Sequence, residues 1–204
     1  DVYAALEAQP ALYDRLLDEM GDEVAAYRGT ALATRQPGAR YVRVPVWYAT
    51  DRAATGQQHP ANWFSGDRGA LTYGRVDVSI PDTHEKGRLE TPSLWRLQFR
   101  ASPDAHVILQ AIAPSAQDAW QADLRAALST CTRRDVLLFI HGYNVDFETA
   151  ARRAAQFAYD LEFTGACVLY SWPSEGSTLK YTVDEDNALW TVDHFEDVLA
   201  GLLT

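Results

Sequence analysis

The segment Asp135–Asn144 constrains the fold more than any other part of this chain. Its five consecutive apolar residues, Val136–Ile140, are too few for an ordinary helix and too unbroken for a strand with one face in water. They predict a buried parallel strand, because both faces of such a strand are covered. His141 and Gly142 follow at a turn, and a helical pattern begins near Asp146. A strand, a glycine-containing turn and a helix together gather backbone N–H groups that can face an anion.

Patterns in the first half of the chain indicate several strands. Alternating or apolar segments occur at Tyr41–Ala49, Leu71–Ile80, Leu94–Arg100 and His106–Ala113, before any alternation with helices. That order predicts an antiparallel start to the sheet. Pro45 suits an edge strand, because proline cannot donate to the ladder.

From Ala116 onward, helices and strands alternate. The predicted segments are helices over residues 116–130, 146–161 and 186–203, and a second buried strand over Ala166–Ser171. This order implies parallel strands with right-handed crossovers, so the fold class is α/β with a mixed sheet. In such sheets, sites lie at the carboxyl ends of the strands, here His141–Asn144 and Ser171–Ser174.

We expect one domain preceded by an arm. A chain of 204 residues is long enough to bury a sizeable core. Apolar residues recur at helical spacing up to about Arg28, and Pro37-Gly38 marks a turn before the first strand. Residues 1–40 are therefore interpreted as a helical arm and linker, and residues 41–204 as the α/β domain. Residues 51–69 lack periodicity and are interpreted as a long loop.

Composition excludes several classes of partner. The formal net charge of −10 disfavours nucleic acid and anionic membranes, since both require a basic face. No apolar run approaches the roughly 18 residues needed to cross a bilayer, and the apolar and charged fractions are those of a soluble globular protein. The first residue is Asp1 and no signal peptide can be recognised, so localisation is left open.

The sequence predicts neither a metal site nor a cofactor. Asp82, His84 and two glutamates share one short segment, but their crowding fits no standard ligand spacing. Cys131 and Cys167 form no Cys-x-x-Cys pair. They are interpreted as free thiols, with a single disulfide as the alternative.

The turn after the apolar strand carries a family resemblance. Phe139-Ile140-His141-Gly142-Tyr143-Asn144 resembles the His-Gly turn that follows the third strand of α/β-hydrolases. Further segments are similar, in order, to an uncharacterised, mostly bacterial branch of that superfamily. They are Tyr48–Arg52, Thr72–Gly74, Val78–Pro81, Ala150–Gln156 and Tyr170–Ser174. The resemblance covers roughly residues 41–204.

This resemblance implies a site for hydrolysis of a small ester or lipid-like substrate. Negative charge develops on the carbonyl oxygen during acyl transfer, and loss of one N–H donor from the oxyanion hole costs roughly 3–4 kcal/mol. The resemblance assigns one donor to the turn of His141, Gly142 and Tyr143, with the Tyr143 backbone as the donor. Trp172 and Pro173 either wall the pocket or pack in the core. The expected substrate-binding residues are Tyr143, Asn144, Ser171, Trp172 and Pro173.

One element of the family pattern is missing. The sequence contains no Gly-x-Ser-x-Gly, the motif that carries the nucleophilic serine. We therefore expect the amino-terminal part of a serine hydrolase, inactive alone, with the nucleophile beyond residue 204. Ser171 and Ser174 are the serines near the predicted strand ends, and only His141 could act as their base. His194 is interpreted as part of a solvated helix face.

Two alternatives remain open. The chain could be a non-catalytic, hydrolase-like binding module that acts through a protein partner. A second chain, or another copy of this one, could cover an open edge of the sheet, because unpaired edge strands bind other strands. Such a second polypeptide could also bring the nucleophile.

Overall fold

A computed structural model of the chain describes residues 32–85, 102–174 and 181–203. Within this part of the chain, five strands form one mixed sheet. They are β1 (Tyr41–Ala54), β2 (Phe64–Pro81), β3 (Ile108–Ser115), β4 (Val136–Ile140) and β5 (Ala166–Ser171). The strand order is β3-β2-β1-β5-β4, with antiparallel pairing from β3 to β1 and parallel pairing from β1 to β4. The predicted α/β class with antiparallel first strands is confirmed.

Helices cover both faces of the sheet. In the described residues they are α1 (Gln117–Thr130), α2 (Phe147–Asp160), α3 (Tyr181–Trp190) and α4 (Val192–Leu203). Side chains alternate along β5, so that Cys167 and Leu169 pack on the α2 side while Val168 and Tyr170 pack with residues of α1 and α4. None of the described helices is long and apolar enough to span a membrane.

The amino terminus of α2 fixes where the His-Gly turn ends. Asp146 is its N-cap, and its carboxylate accepts a 2.7 Å hydrogen bond from the Thr149 N–H, an interaction worth about 1 kcal/mol. The helix then buries a row of small residues, among them Ala150, Ala151 and Ala154, which let it lie close to the sheet. The turn is thus held between a strand and a capped, closely packed helix.

The predicted loop over residues 51–69 is wrong in most of its length. β1 continues through Asp51 to Ala54 and β2 begins at Phe64, with a short 3₁₀ helix, Pro60–Asn62, in the connection. The lack of periodicity favoured the loop interpretation, yet Asp51 and Arg52 are fully buried in β1. Shifts in register between Thr50 and Ala54 accommodate them.

The sheet order qualifies two strand predictions. β1 is an interior strand, but Pro45 lies one residue before Val46, where pairing with β5 begins, so at Pro45 the described sheet has a neighbour only in β2. β4 is parallel as predicted, but among the described strands it forms the edge of the sheet. Its residues are only partly covered, and Ile140 is 46% exposed. β5 is buried throughout, as predicted.

Two predicted segments cannot be compared with the structure, and one predicted helix is divided in two. The helical arm and the strand predicted over residues 94–100 lie outside the described residues, and the division at residue 40 stays a prediction. The single helix predicted over residues 186–203 is two helices, α3 and α4, separated at Thr191. The Tyr170 hydroxyl oxygen lies 3.2 Å from the Thr191 carbonyl oxygen, which places this break against the sheet.

Candidate active site

The turn after β4 brings a histidine ring and a glycine to the carboxyl end of the sheet. The His141 side chain is buried, and its Nδ1 lies 2.8 Å from the carbonyl oxygen of Gly142. Asn144 adopts the left-handed conformation with φ of 59°, which asparagine tolerates better than most residues. A Cβ added at Gly142 would meet no heavy atom within 4 Å, so open space lies in front of the turn.

Trp172 holds this turn from the neighbouring strand. It follows β5, is 5% exposed, and donates from Nε1 to the His141 carbonyl at 3.0 Å. Its ring stacks on His141 with centroids 5.1 Å apart and meets Tyr143 edge-on at 5.4 Å. The predicted neighbours His141, Tyr143 and Trp172 therefore form one aromatic cluster.

Buried Arg52 joins the strand ends beneath that cluster. Its side chain is 1% exposed. Its N–H groups contact Ser171 Oγ (2.9 Å), Ser174 O (2.9 Å), Ser65 O (3.2 Å), Val145 O (2.6 Å) and His141 Nε2 (3.3 Å). A guanidinium suits this position because its donors form a rigid planar fork. Arg52 therefore contacts the His-Gly turn directly.

Both candidate serines lie in this network. Ser171 Oγ is 3.2 Å from His141 Nε2, but Ser171 is fully buried and its carbonyl accepts a 2.5 Å bond from Thr50. Ser174 Oγ accepts from the Val145 N–H at 3.2 Å. Pro173 accepts at its carbonyl from Asn187 at 2.7 Å. These contacts tie β5 to its surroundings.

A cavity of about 330 Å³ opens beside the turn. Its apolar lining consists of Ile140, Tyr143, Trp172, Ala188, Val192 and Phe195, and His141, Gly142, Tyr170 and Thr191 complete it. The structure therefore brings four of the predicted site residues, His141, Gly142, Tyr143 and Trp172, to one cavity. Asn144, Ser171 and Pro173 do not line it. The functional roles assigned to all seven residues stay predictions.

A second polar group, missed from sequence, lies behind the cavity wall. Asp51 is fully buried, and its Oδ2 accepts from the Thr191 hydroxyl, from Tyr170 at 3.1 Å and from His194 Nδ1 at 3.0 Å. Burial raises the pKa of Tyr170 well above its ordinary value, so this hydroxyl remains a donor. The solvated-face interpretation of His194 is wrong, because the residue pairs with a buried carboxylate 143 positions earlier.

The described residues contain no group of three or more side chains suited to a metal ion. Asp82 pairs with Arg35 at 2.6 Å, and His84 lies 2.8 Å from Asp160. Cys131 and Cys167 are free thiols, as interpreted from the sequence.

Comparison with known proteins gave a family match over the carboxyl-terminal part of the chain. Residues 116–204 match the family described as alpha/beta hydrolase of unknown function (DUF900). Comparisons with curated proteins and with solved structures gave no match. The matched residues include the His-Gly turn, β5 and the helices that line the cavity.

Proposed function

We propose that this chain, whose residues 116–204 match an α/β hydrolase family, supplies the oxyanion turn and pocket wall of a serine hydrolase acting on carboxylic esters. The observation that carries the proposal is the cavity beside Gly142 and Tyr143, at the carboxyl end of a parallel strand. The nucleophilic serine belongs to a segment outside these 204 residues, since they contain no Gly-x-Ser-x-Gly.

The chemistry assigned to the turn is stabilisation of charge. When serine attacks an ester, the carbonyl oxygen gains negative charge, and a preorganised backbone N–H near 3 Å stabilises it. The Tyr143 N–H is the proposed donor. The second donor comes with the nucleophile, from the residue that follows it. Serine attack, acyl-enzyme formation and hydrolysis by water complete the reaction.

The cavity supports an uncharged acyl or alcohol group as its occupant. Among the described residues, six apolar side chains line it, and none of the described lining residues is an aspartate, glutamate, lysine or arginine. Its volume of about 330 Å³ lies at the lower end of the range for small-molecule sites, about 300–1,000 Å³. A small ester or the end of a lipid-like chain fits these properties.

The position of β4 at the edge of the described sheet supports the proposal that a further strand carries the nucleophile. β4 is an edge in the described sheet, and Ile140 beside the turn is 46% exposed. An uncovered apolar edge strand invites pairing with another strand. A strand added there would end next to the His-Gly turn, where the serine is needed.

A binding module is the second candidate, and the same edge favours it. Ile140, Tyr143 and Val192 line the cavity and are 42–46% exposed, and Leu189 is 71% exposed. Apolar surface of this kind also marks protein interaction sites. Under this alternative, a partner chain or another copy covers β4 and no hydrolysis occurs.

A fluorophosphonate probe separates the two candidates. We expect intact-mass analysis to show an adduct on a longer form that carries the serine motif, and none on the 204-residue chain. An adduct on the shorter chain would redirect attention to Ser171 and Ser174. Absence of labelling in both forms would refute the hydrolase proposal and favour the binding module.

Two substitutions at Tyr143 test the oxyanion donor itself. Tyr143→Ala removes the ring but keeps the backbone N–H, whereas Tyr143→Pro removes both. In the longer form, we expect the proline variant to react with p-nitrophenyl butyrate roughly 10²–10³-fold more slowly than the alanine variant. Equal rates in two variants that fold equally well, judged by circular dichroism, would exclude this N–H as the donor.

A further inference from the structure

Contacts around His141 define which of its ring nitrogens carries the proton. Arg52 Nη2 lies 3.3 Å from His141 Nε2, and arginine can only donate, so Nε2 is the acceptor. On the other side of the ring, Nδ1 lies 2.8 Å from the Gly142 carbonyl, which can only accept. Both contacts require the same neutral form, with the proton on Nδ1.

This proton fixes the orientation of the next peptide group. The bond between Gly142 and Tyr143 is trans, since the described chain has no cis peptide bonds. In a trans peptide, the carbonyl and the N–H point in opposite directions. Because the Gly142 carbonyl is held toward the His141 ring, the Tyr143 N–H points away from that ring. Gly142 and Tyr143 both line the cavity.

The Arg52 side chain is itself held by several partners. It donates to Val145 O at 2.6 Å, on the far side of the same turn, and to Ser174 O at 2.9 Å after β5. The guanidinium is therefore fixed in relation to both ends of the turn. If His141 shifted, it would lose its contact with the Arg52 guanidinium, because the other partners of the guanidinium keep that group in place.

We propose that Arg52 is a positioning residue that selects the Nδ1–H form of His141 and thereby orients the Gly142–Tyr143 peptide. This inference rests on the proposed function for its catalytic consequence, because the oriented N–H is the proposed oxyanion donor. It also assigns His141 a role other than general base. A proton accepted at Nε2 would face the Arg52 guanidinium at 3.3 Å, where like charges repel.

Nuclear magnetic resonance tests the tautomer directly, in the 204-residue chain and without any activity. Long-range ¹H–¹⁵N correlations in a ¹⁵N-histidine sample distinguish the two neutral forms, and the variant His141→Gln identifies the His141 signals among the five histidines. At about pH 8, where ordinary histidines are neutral, we expect the Nδ1–H form. Observation of the Nε2–H form would overturn the proposal.

The role of Arg52 requires a second comparison. In Arg52→Met, His141 Nε2 loses the donor that Arg52 provides. It can then donate to Ser171 Oγ at 3.2 Å, so we expect the Nε2–H form to become populated. Arg153→Met makes the same change at an exposed position of α2 and should leave the tautomer unchanged. Arg52→Leu, which likewise carries no hydrogen-bond donor, provides the comparison if the methionine variant does not fold. An unchanged Nδ1–H form in the folded Arg52 variant would refute the assignment.

Kinetics of the longer form separate this inference from the proposed function. We expect Arg52→Met to lower kcat for p-nitrophenyl butyrate roughly 10²–10³-fold, the loss typical of one oxyanion donor, with KM little changed. Arg153→Met should retain the activity of the parent. A changed tautomer with unchanged kcat would refute the catalytic consequence, whereas failure of the parent to react with esters or fluorophosphonate would refute the proposed function alone.

Discussion

Trp172→Phe should destabilise the fold through one hydrogen bond. The substitution keeps a buried aromatic ring but removes the Nε1–H that donates to the His141 carbonyl at 3.0 Å. Loss of a donor to a buried carbonyl costs about 1–3 kcal/mol. The smaller ring also leaves space at a position that is only 5% exposed. We therefore expect a loss of about 2–3 kcal/mol in the free energy of unfolding.

Urea denaturation measures this loss, and two further variants identify its origin. Trp172→Ala also removes the ring that stacks on His141, and we expect a larger loss of about 3–5 kcal/mol. Trp63→Phe makes the same change at a half-buried tryptophan packed against the α2-side core, and it should cost less. If Trp172→Phe unfolds within about 0.5 kcal/mol of the parent, the bond from the indole to the turn contributes nothing, and our account of how the turn is held fails.

Three further predictions concern two glycines and a cysteine. Gly165→Ala should cost about 1–3 kcal/mol in urea denaturation, because the new Cβ would lie 2.0 Å from the Asp135 carbonyl oxygen; a neutral result would contradict this packing. Gly142→Ala should leave stability nearly unchanged, since its Cβ meets no heavy atom within 4 Å, but should weaken p-nitrophenyl butyrate binding measured by nuclear magnetic resonance; unaltered binding would exclude the cavity. Burial raises the pKa of the Cys167 thiol from 9.0 to about 12, so the unfolded chain releases this proton first and stability falls as pH rises through that window. Cys167→Ala should reduce the fall, by up to about 1.4 kcal/mol per pH unit, and an identical pH profile would refute the assignment.

The sequence predicted a strand or helix correctly where burial alone determines its pattern of apolar residues. β5 is apolar because helices cover both of its faces, and α2 shows a clear apolar stripe because it lies on the sheet. The apolar run of β4 predicted a parallel strand correctly. The apolar run could not predict how exposed β4 is, because its exposure depends on what pairs with the side of β4 that does not face β5.

The candidate site was predictable only in part. The proximity of the His-Gly turn and Trp172 was predicted from their positions at strand ends and from a family resemblance, and their functional roles stay predictions. Asp51 and Arg52 were interpreted as loop residues, since a sequence does not reveal that groups distant along the chain contact a buried charge. One partner of Asp51 is His194, on a helix 143 positions later, and no local pattern links the two.

The adjacent charges in β1 have a consequence for strand pairing. Asp51 faces hydroxyl and imidazole donors on the α4 side, while Arg52 faces carbonyl acceptors near the His-Gly turn. A one-residue slip of a strand exchanges the faces of its side chains. Such a slip would present a carboxylate to carbonyl oxygens and a guanidinium to hydrogen-bond donors. The two residues therefore discriminate against misaligned β1, in addition to stabilising the correct alignment.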